Sequence, residues 1–170
     1  AASDVYKRQR DHGSTWHLGT GAYDDTTEAQ VAEIEPGVLM LNCRYNRTNT
    51  RVVMITHDMG ATWEEHPTSR EALVEPRACM ASLITTSRDG VLLFSNPAVD
   101  APPRRHMTIK ASVDNGLTWN DGLLLDEMQS AGYSCLTMID DDTVGILYES
   151  SAAHLVFQRV PLDELLGDVE

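Results

Sequence analysis

The sequence is poor in the residues that would support metal, redox or nucleic-acid chemistry. It has three cysteines, Cys43, Cys79 and Cys135, odd in number and far apart. They show neither the CxxC spacing of a zinc site nor the density of a disulfide framework, and they read as small apolar core residues. The six histidines are isolated and form no HxH or HExxH pair, so no metal site is expected, and no cofactor is implied. No apolar run approaches the ~20 residues that a bilayer span requires. Basic residues are scarce: 13 Lys and Arg stand against 26 Asp and Glu, a net charge of −13 spread along the whole chain. Such a field repels polyanions, which argues against nucleic acid and anionic membrane surfaces as partners. With 42% hydrophobic residues in 170, the chain can nevertheless bury a core.

The first nine residues, AASDVYKRQ, lack an initiator Met and an apolar h-region, and they back-translate onto a transposase-type sequencing adaptor. Residues 1–9 are therefore read as an adaptor scar, and the fold argument is built on residues 10–170 alone.

Tryptophan is rare too, and its placement is the strongest structural signal. Each of the three Trp residues ends a copy of one motif: DHGSTW (11–16), THDMGATW (56–63) and SVDNGLTW (112–119). All fit Asp-x-Gly-x-Thr-Trp, and they recur at roughly 50-residue intervals, a period typical of propeller blades and other arrays. The motif reads as a hairpin turn in which Asp accepts backbone N–H groups, Gly supplies a positive φ and Trp plugs the space between strands. Between the copies lie nine short segments with strand character, each bounded by Gly, Pro, Asn or Asp: EAQVAEIE, GVLMLNCR, RVVMITH, MASLITTS, VLLFSN, HMTIKASV, SCLTMID, TVGILYES and HLVFQRV. Only the tail PLDELLGD (161–168), with Pro at the first position and acidic residues in the first turn, reads as a helix. The expected fold is all-β, a propeller in preference to a sandwich because the turn recurs once per repeat, with an open edge where the propeller is incomplete. Asp140, Asp141 and Asp142 fall between two strands, where a turn is the ordinary explanation and a calcium ligand a minor one. Asn46-Arg47-Thr48 matches a glycosylation sequon, a short pattern that is frequent by chance.

The segments TTEAQVAEIEPGVLMLNCRYNR, EPRACMASLI, FSNP, RRHMTIKASVDNGLTW, AGYSCLTMI and GILYES, taken in that order with the Asp boxes, resemble bacterial sialidases (exo-α-neuraminidases) of the Asp-box, or BNR-repeat, family. The resemblance runs from about residue 11 to the C-terminus. It implies that the chain carries about the C-terminal half of a six-bladed β-propeller that removes terminal sialic acid from glycoproteins, glycolipids and oligosaccharides. Family members use a Tyr nucleophile, a Glu partner, three Arg on the substrate carboxylate and an Asp acid/base. The Asp and the first Arg belong to N-terminal blades and have no counterpart here, so the chain alone is expected to be inactive.

By that resemblance Glu28 partners the catalytic Tyr133, and Arg44 and Arg104 hold the carboxylate. Read on spacing alone, Glu28 would be a solvated strand-edge acid and Tyr133 a half-buried core residue. The chemistry is coherent, because the sialic acid carboxylate repels an anionic nucleophile whereas a neutral phenol can approach and be activated by a nearby base. Arg44 ends an apolar strand, where a charge is costly without a partner, and its planar fork suits bidentate binding of a carboxylate. Arg104 is chosen over Arg105 by its spacing to Thr108, since a one-residue slip faces the other side of the sheet. For both arginines the plain reading is a solvated surface pair. Glu149 could support this cluster or be an edge acid. Two other functions stay open: a non-catalytic Asp-box propeller that binds glycans or proteins, and a transglycosylating (trans-sialidase) relative. Substrate access points to a periplasmic or secreted protein.

Overall fold

The computed structural model describes residues 3–167. Among them, thirteen strands and one helix form four antiparallel sheets, which follow one another in chain order. The first pairs β1 (Ser3–Arg8) with β2 (His17–Asp24). The second is a meander of β3 (Thr26–Glu35), β4 (Val38–Tyr45), β5 (Val52–Thr56) and β6 (Glu64–Glu65). The third repeats that order with β7 (Ser82–Thr85), β8 (Leu92–Pro97), β9 (Met107–Ser112) and β10 (Leu123–Asp126). The fourth holds β11 (Ser134–Met138), β12 (Thr143–Glu149) and β13 (Leu155–Pro161), followed by α1 (Leu162–Leu166). No sheet among the described residues is closed.

All nine expected strands are present, and the helix is shorter than the segment read for it, with Pro161 at the N-cap instead of the first turn. Four strands were not foreseen. β1 lies in the tract set aside from the fold argument; β2 is largely exposed; β6 is a pair of glutamates. The fourth is β10, LLLD, only four residues long.

Three apolar layers separate the four sheets. Leu41, Cys43, Val52 and Met54 face the first sheet's Ala22. Met40, Val53, Leu83, Leu92 and Phe94 fill the space between the second and third sheets. Leu93, Met107, Ile109, Leu136, Val144, Ile146 and Val160 fill the next, closed at one side by Leu162 and Leu165 of α1. The second strand of each meander is therefore buried on both faces, which is why β4 and β8 read as continuous apolar runs and not as alternating ones. Cys43 and Cys79 are buried as expected, whereas Cys135 is exposed on the outer face of the last sheet.

The Asp boxes connect β1 to β2, β5 to β6 and β9 to β10. In each, both carboxylate oxygens of the Asp bind the Thr four residues on, one oxygen to its N–H and one to its hydroxyl. The residue before each Gly and the Gly itself are left-handed: φ is 53° and 88°, 60° and 82°, and 58° and 86° in the three copies. Two positions before the Asp, the Thr56 hydroxyl accepts from Gly60 N–H at 2.9 Å and the Ser112 hydroxyl from Gly116 N–H at 2.8 Å. Gln9 takes that place in the first copy, its carbonyl accepting from Gly13 N–H at 3.1 Å. Trp63 meets Tyr6 edge-on and Trp119 meets Phe94 likewise, but Trp16 is 63% exposed and plugs nothing. The Asp140–Asp142 run is a turn, with Asp142 N–H donating to the Asp140 carboxylate at 3.1 Å.

A charged cluster sits in the core. Arg51 and Glu75 have fully buried side chains, joined at 2.6 Å. Arg51 Nε also donates to Asn42 Oδ1 at 2.7 Å, and its guanidinium lies 5.9 Å from the Phe94 ring centroid.

Two stability outcomes follow from these contacts. The Thr62 and Thr56 donors hold the Asp58 carboxyl below the usual carboxylate range, so its contribution is complete above the unfolded value and fades as pH falls through the folded one. In urea unfolding, the advantage of the wild type over Asp58→Ala should narrow below about pH 4; an advantage unchanged from pH 6 to pH 3 would refute the assignment. Glu75→Ala leaves a buried guanidinium without its counter-charge and should cost about 3–5 kcal/mol, read as a fall in the urea midpoint at constant m-value.

Candidate active site

In a meander the first and third strands start, and the second ends, at the same rim. Glu28 lies near the start of β3, Arg44 near the end of β4, Arg104 in the connection leading into β9, and Tyr133 one residue before β11. All four therefore stand at one rim, and the Asp boxes, which follow the third strands, stand at the other.

A β-bulge places Glu28. The register of β3 against β4 shifts between Thr27 and Ala29, and Glu28 itself has φ 36°, in the left-handed region. Thr27 pairs with Arg44 and Ala29 with Cys43, so Glu28 is the extra residue between two consecutive partners. Bulges re-aim side chains in this way, and a non-glycine residue at positive φ is held there by its surroundings. The re-aimed carboxylate pairs with Arg44 through Oε2 and accepts the Tyr133 phenol through Oε1 at 2.9 Å. Arg44 Nη1 also donates to the phenol oxygen at 3.1 Å. Two residues of the second sheet and one just before the fourth thus close a triangle of hydrogen bonds, and the Arg44 and Glu28 side chains stay 21% and 37% exposed, open to a ligand.

Electrostatics within the triangle are mutual. Partial burial pushes the Glu28 carboxyl up, but donors from Arg44 and Tyr133 outweigh it and hold the group below the usual carboxylate range. Burial likewise works against the Arg44 cation, and the Glu28 carboxylate more than offsets it.

Arg104 stands with its guanidinium carbon 5.5 Å from the Tyr133 ring centroid. Its Nη1 donates to Ala131 O at 2.6 Å and its Nη2 to Ala78 O at 3.2 Å. Gly132, at φ 95°, leaves it room: a Cβ there would lie 2.9 Å from Arg104 Cδ and from Pro97 Cγ. Arg105 is exposed and makes none of these contacts. Glu149 acts on the backbone of the tyrosine and not on its phenol: its carboxylate accepts from Tyr133 N–H at 2.9 Å, and its own N–H donates to Tyr133 O at 3.0 Å. An open cleft of about 590 Å³ adjoins, lined by Ser130, Ala131, Glu149, Ser150, His154 and Leu155.

The structure thus brings together all five residues singled out in the sequence. What the sequence did not single out is the support behind them, the carbonyls of Ala78 and Ala131 and the buried Arg51 and Glu75. Only one signal could have found the latter pair, an Arg opening the apolar run VVMI.

Residues 2–147 match the BNR repeat-like domain family. A sialidase from Bacteroides fragilis (strain YCH46) is 53% identical over 165 residues, which cover 92% of this chain and 30% of that protein. A sialidase from Micromonospora viridifaciens is 32% identical over 148 residues, 82% of this chain and 22% of the other. Among solved structures, the Hadza microbial sialidase Hz136 superposes with a TM-score of 0.87 at 57% identity, over 92% of this chain and 31% of that one. The chain spans less than a third of each relative, and its four antiparallel sheets are similar to part of a sialidase β-propeller. Family match, relatives and fold agree: the chain belongs to the BNR-repeat sialidase family.

Proposed function

We propose that this chain is the C-terminal part of a six-bladed propeller sialidase and supplies its nucleophile, the base that activates it and two of the carboxylate-binding arginines. The observation that carries the proposal is the triangle of Tyr133, Glu28 and Arg44, a phenol hydrogen-bonded to a carboxylate at 2.9 Å with a cation 3.1 Å from the same oxygen. A phenol so placed can transfer its proton to Glu28 as it attacks, and Arg44 offsets the negative charge that builds on the oxygen.

The reaction proceeds in two displacements. Tyr133 Oη bonds to the anomeric carbon of sialic acid while the glycosidic C–O bond breaks, and the phenol proton passes to Glu28. An aspartic acid from the N-terminal blades protonates the departing oxygen. That aspartate then takes a proton from water, which attacks the same carbon; the tyrosyl bond breaks, and Glu28 returns its proton to the phenolate. Two inversions give net retention. Arg44 and Arg104 hold the substrate carboxylate and fix the anomeric carbon over Tyr133. Arg44 donates to Glu28 and Tyr133 through Nη1 alone, which leaves Nη2 for the substrate. The rest of the glycan would extend over the cleft beside Glu149. Terminal sialic acid is displayed outside cells, so the protein would work in the periplasm or after secretion.

The test is made on a full-length protein, this chain joined to the N-terminal portion that its Bacteroides fragilis relative carries. That protein should release sialic acid from a fluorogenic sialoside, with the α-anomer appearing first by NMR; a β-anomer first would exclude the double displacement, and an anhydro or acceptor-linked product would assign the chain to transglycosylation. Tyr133→Phe should lower kcat/KM by about 10³-fold or more. If both forms bind sialic acid and neither cleaves, the propeller is a glycan-binding module. In Arg44→Lys the loss of the planar fork should raise KM about 10- to 100-fold, measured on the same substrate.

A further inference from the structure

The buried Arg51–Glu75 pair touches no reacting group, yet each of its free hydrogen-bonding edges leads to one of the arginines of the candidate site. On one side, Glu75 Oε1 accepts from Tyr45 N–H at 3.2 Å, and Tyr45 follows Arg44. Arg51 grips the same strand two residues before Arg44, donating to Asn42 Oδ1 at 2.7 Å and to Asn42 O at 3.3 Å. The end of β4 that carries Arg44 is thus clamped both before and after that residue.

On the other side, the chain from residue 75 to 79 turns through two successive non-glycine residues in the left-handed region, Arg77 at φ 54° and Ala78 at φ 60°. L-residues adopt that conformation only where the surroundings impose it. Its effect is to send two consecutive carbonyls to two different guanidiniums. Cys79 O accepts from Arg51 Nη1 at 2.7 Å, while Ala78 O accepts from Arg104 Nη2 at 3.2 Å. Cys79 Sγ lies 3.4 Å from Gly132 O, within reach of a hydrogen bond to the residue before Tyr133. Burial pushes that thiol up to about 11, so it stays a protonated donor.

From these contacts we infer that Arg51 and Glu75 are positioning residues: one fully buried ion pair sets the placement of Arg44 through β4 and of Arg104 through residues 75–79. The inference rests on the sialidase reading above, in which those two arginines hold the substrate carboxylate. A pair that only stabilised the core would need no contact with either segment. Here Arg51 Nη1 bonds Glu75 and the strained turn at once, so that displacing the pair displaces both arginines together.

The test uses the full-length protein and the double variant Arg51→Met/Glu75→Leu. Removing both charges leaves no orphan ion, so the fold should survive the exchange, and thermal unfolding checks that it does. The folded variant should show KM for a fluorogenic sialoside raised about tenfold or more, with kcat falling by a smaller factor, because the carboxylate grip is what has loosened. Arg51→Lys, the milder change, keeps the charge opposite Glu75 but cannot reach Asn42, Glu75 and Cys79 O together. It should shift KM in the same direction, and it decides the matter if the double variant does not fold. Folded variants with KM and kcat within twofold of the wild type would overturn the inference and leave the sialidase reading intact; a wild type that cleaves no sialoside would remove that reading instead.

Discussion

Burial on both faces of a strand is the constraint on which the rest of this structure depends. β4 and β8 have no solvent side, so every residue on them must meet a neighbouring sheet, and every polar group must find a partner inside. The apolar residues satisfy this by pointing alternately into one layer and the next, as Met40 and Leu41 do, or Leu92 and Leu93. The polar residues satisfy most of it by pairing. Asn42, in the middle of β4, is fully buried; its Oδ1 is bound by Arg51, which needs a counter-charge and finds it in Glu75, while its Nδ2 meets no acceptor among the described residues. The core is thus an apolar stack with one ionic rivet.

The same strand carries a residue of the candidate site at its end. As β4 leaves the stack, the next residue in the pattern is Arg44, still partly shielded, and its charge is compensated by Glu28 instead of by water. The two groups share the Tyr133 phenol, whose hydroxyl donates to the Glu28 carboxylate and accepts from Arg44. The bulge at Glu28 is what allows the sharing, because a regular β3 would turn that carboxylate away from Tyr133.

Much of this was legible in the sequence, and what was not has identifiable causes. The nine longer strands announced themselves by composition and punctuation, and the boxes by their Asp, Gly and Trp. β6 and β10 are short, and polar or lightly buried, and they exist because the box turns back onto the preceding strand; propensity alone gives two glutamates no reason to be a strand. β1 was lost because its tract was excluded, although Gln9 completes the first box with a carboxamide where the other copies use a hydroxyl. At the site, family likeness located Glu28, Arg44, Arg104 and Tyr133, and spacing alone would have left them as surface charges and a core ring. The bulge and the left-handed pair at Arg77 and Ala78 leave no trace in composition. Glu75 looked like any acid in a loop, since burial of a charge is decided by distant partners, here by an arginine 24 residues earlier.

The opposed rims carry a consequence for how such a molecule can diverge. Turn staples and candidate site residues share the same sheets but not the same loops, so the connections at the site rim can lengthen or change composition while the far rim keeps strand pairing in register. Substrate preference and folding robustness then become separately adjustable traits. The exception is the segment from 75 to 79, which lies at the site rim by position and reaches the core by its contacts, so that a change there touches both.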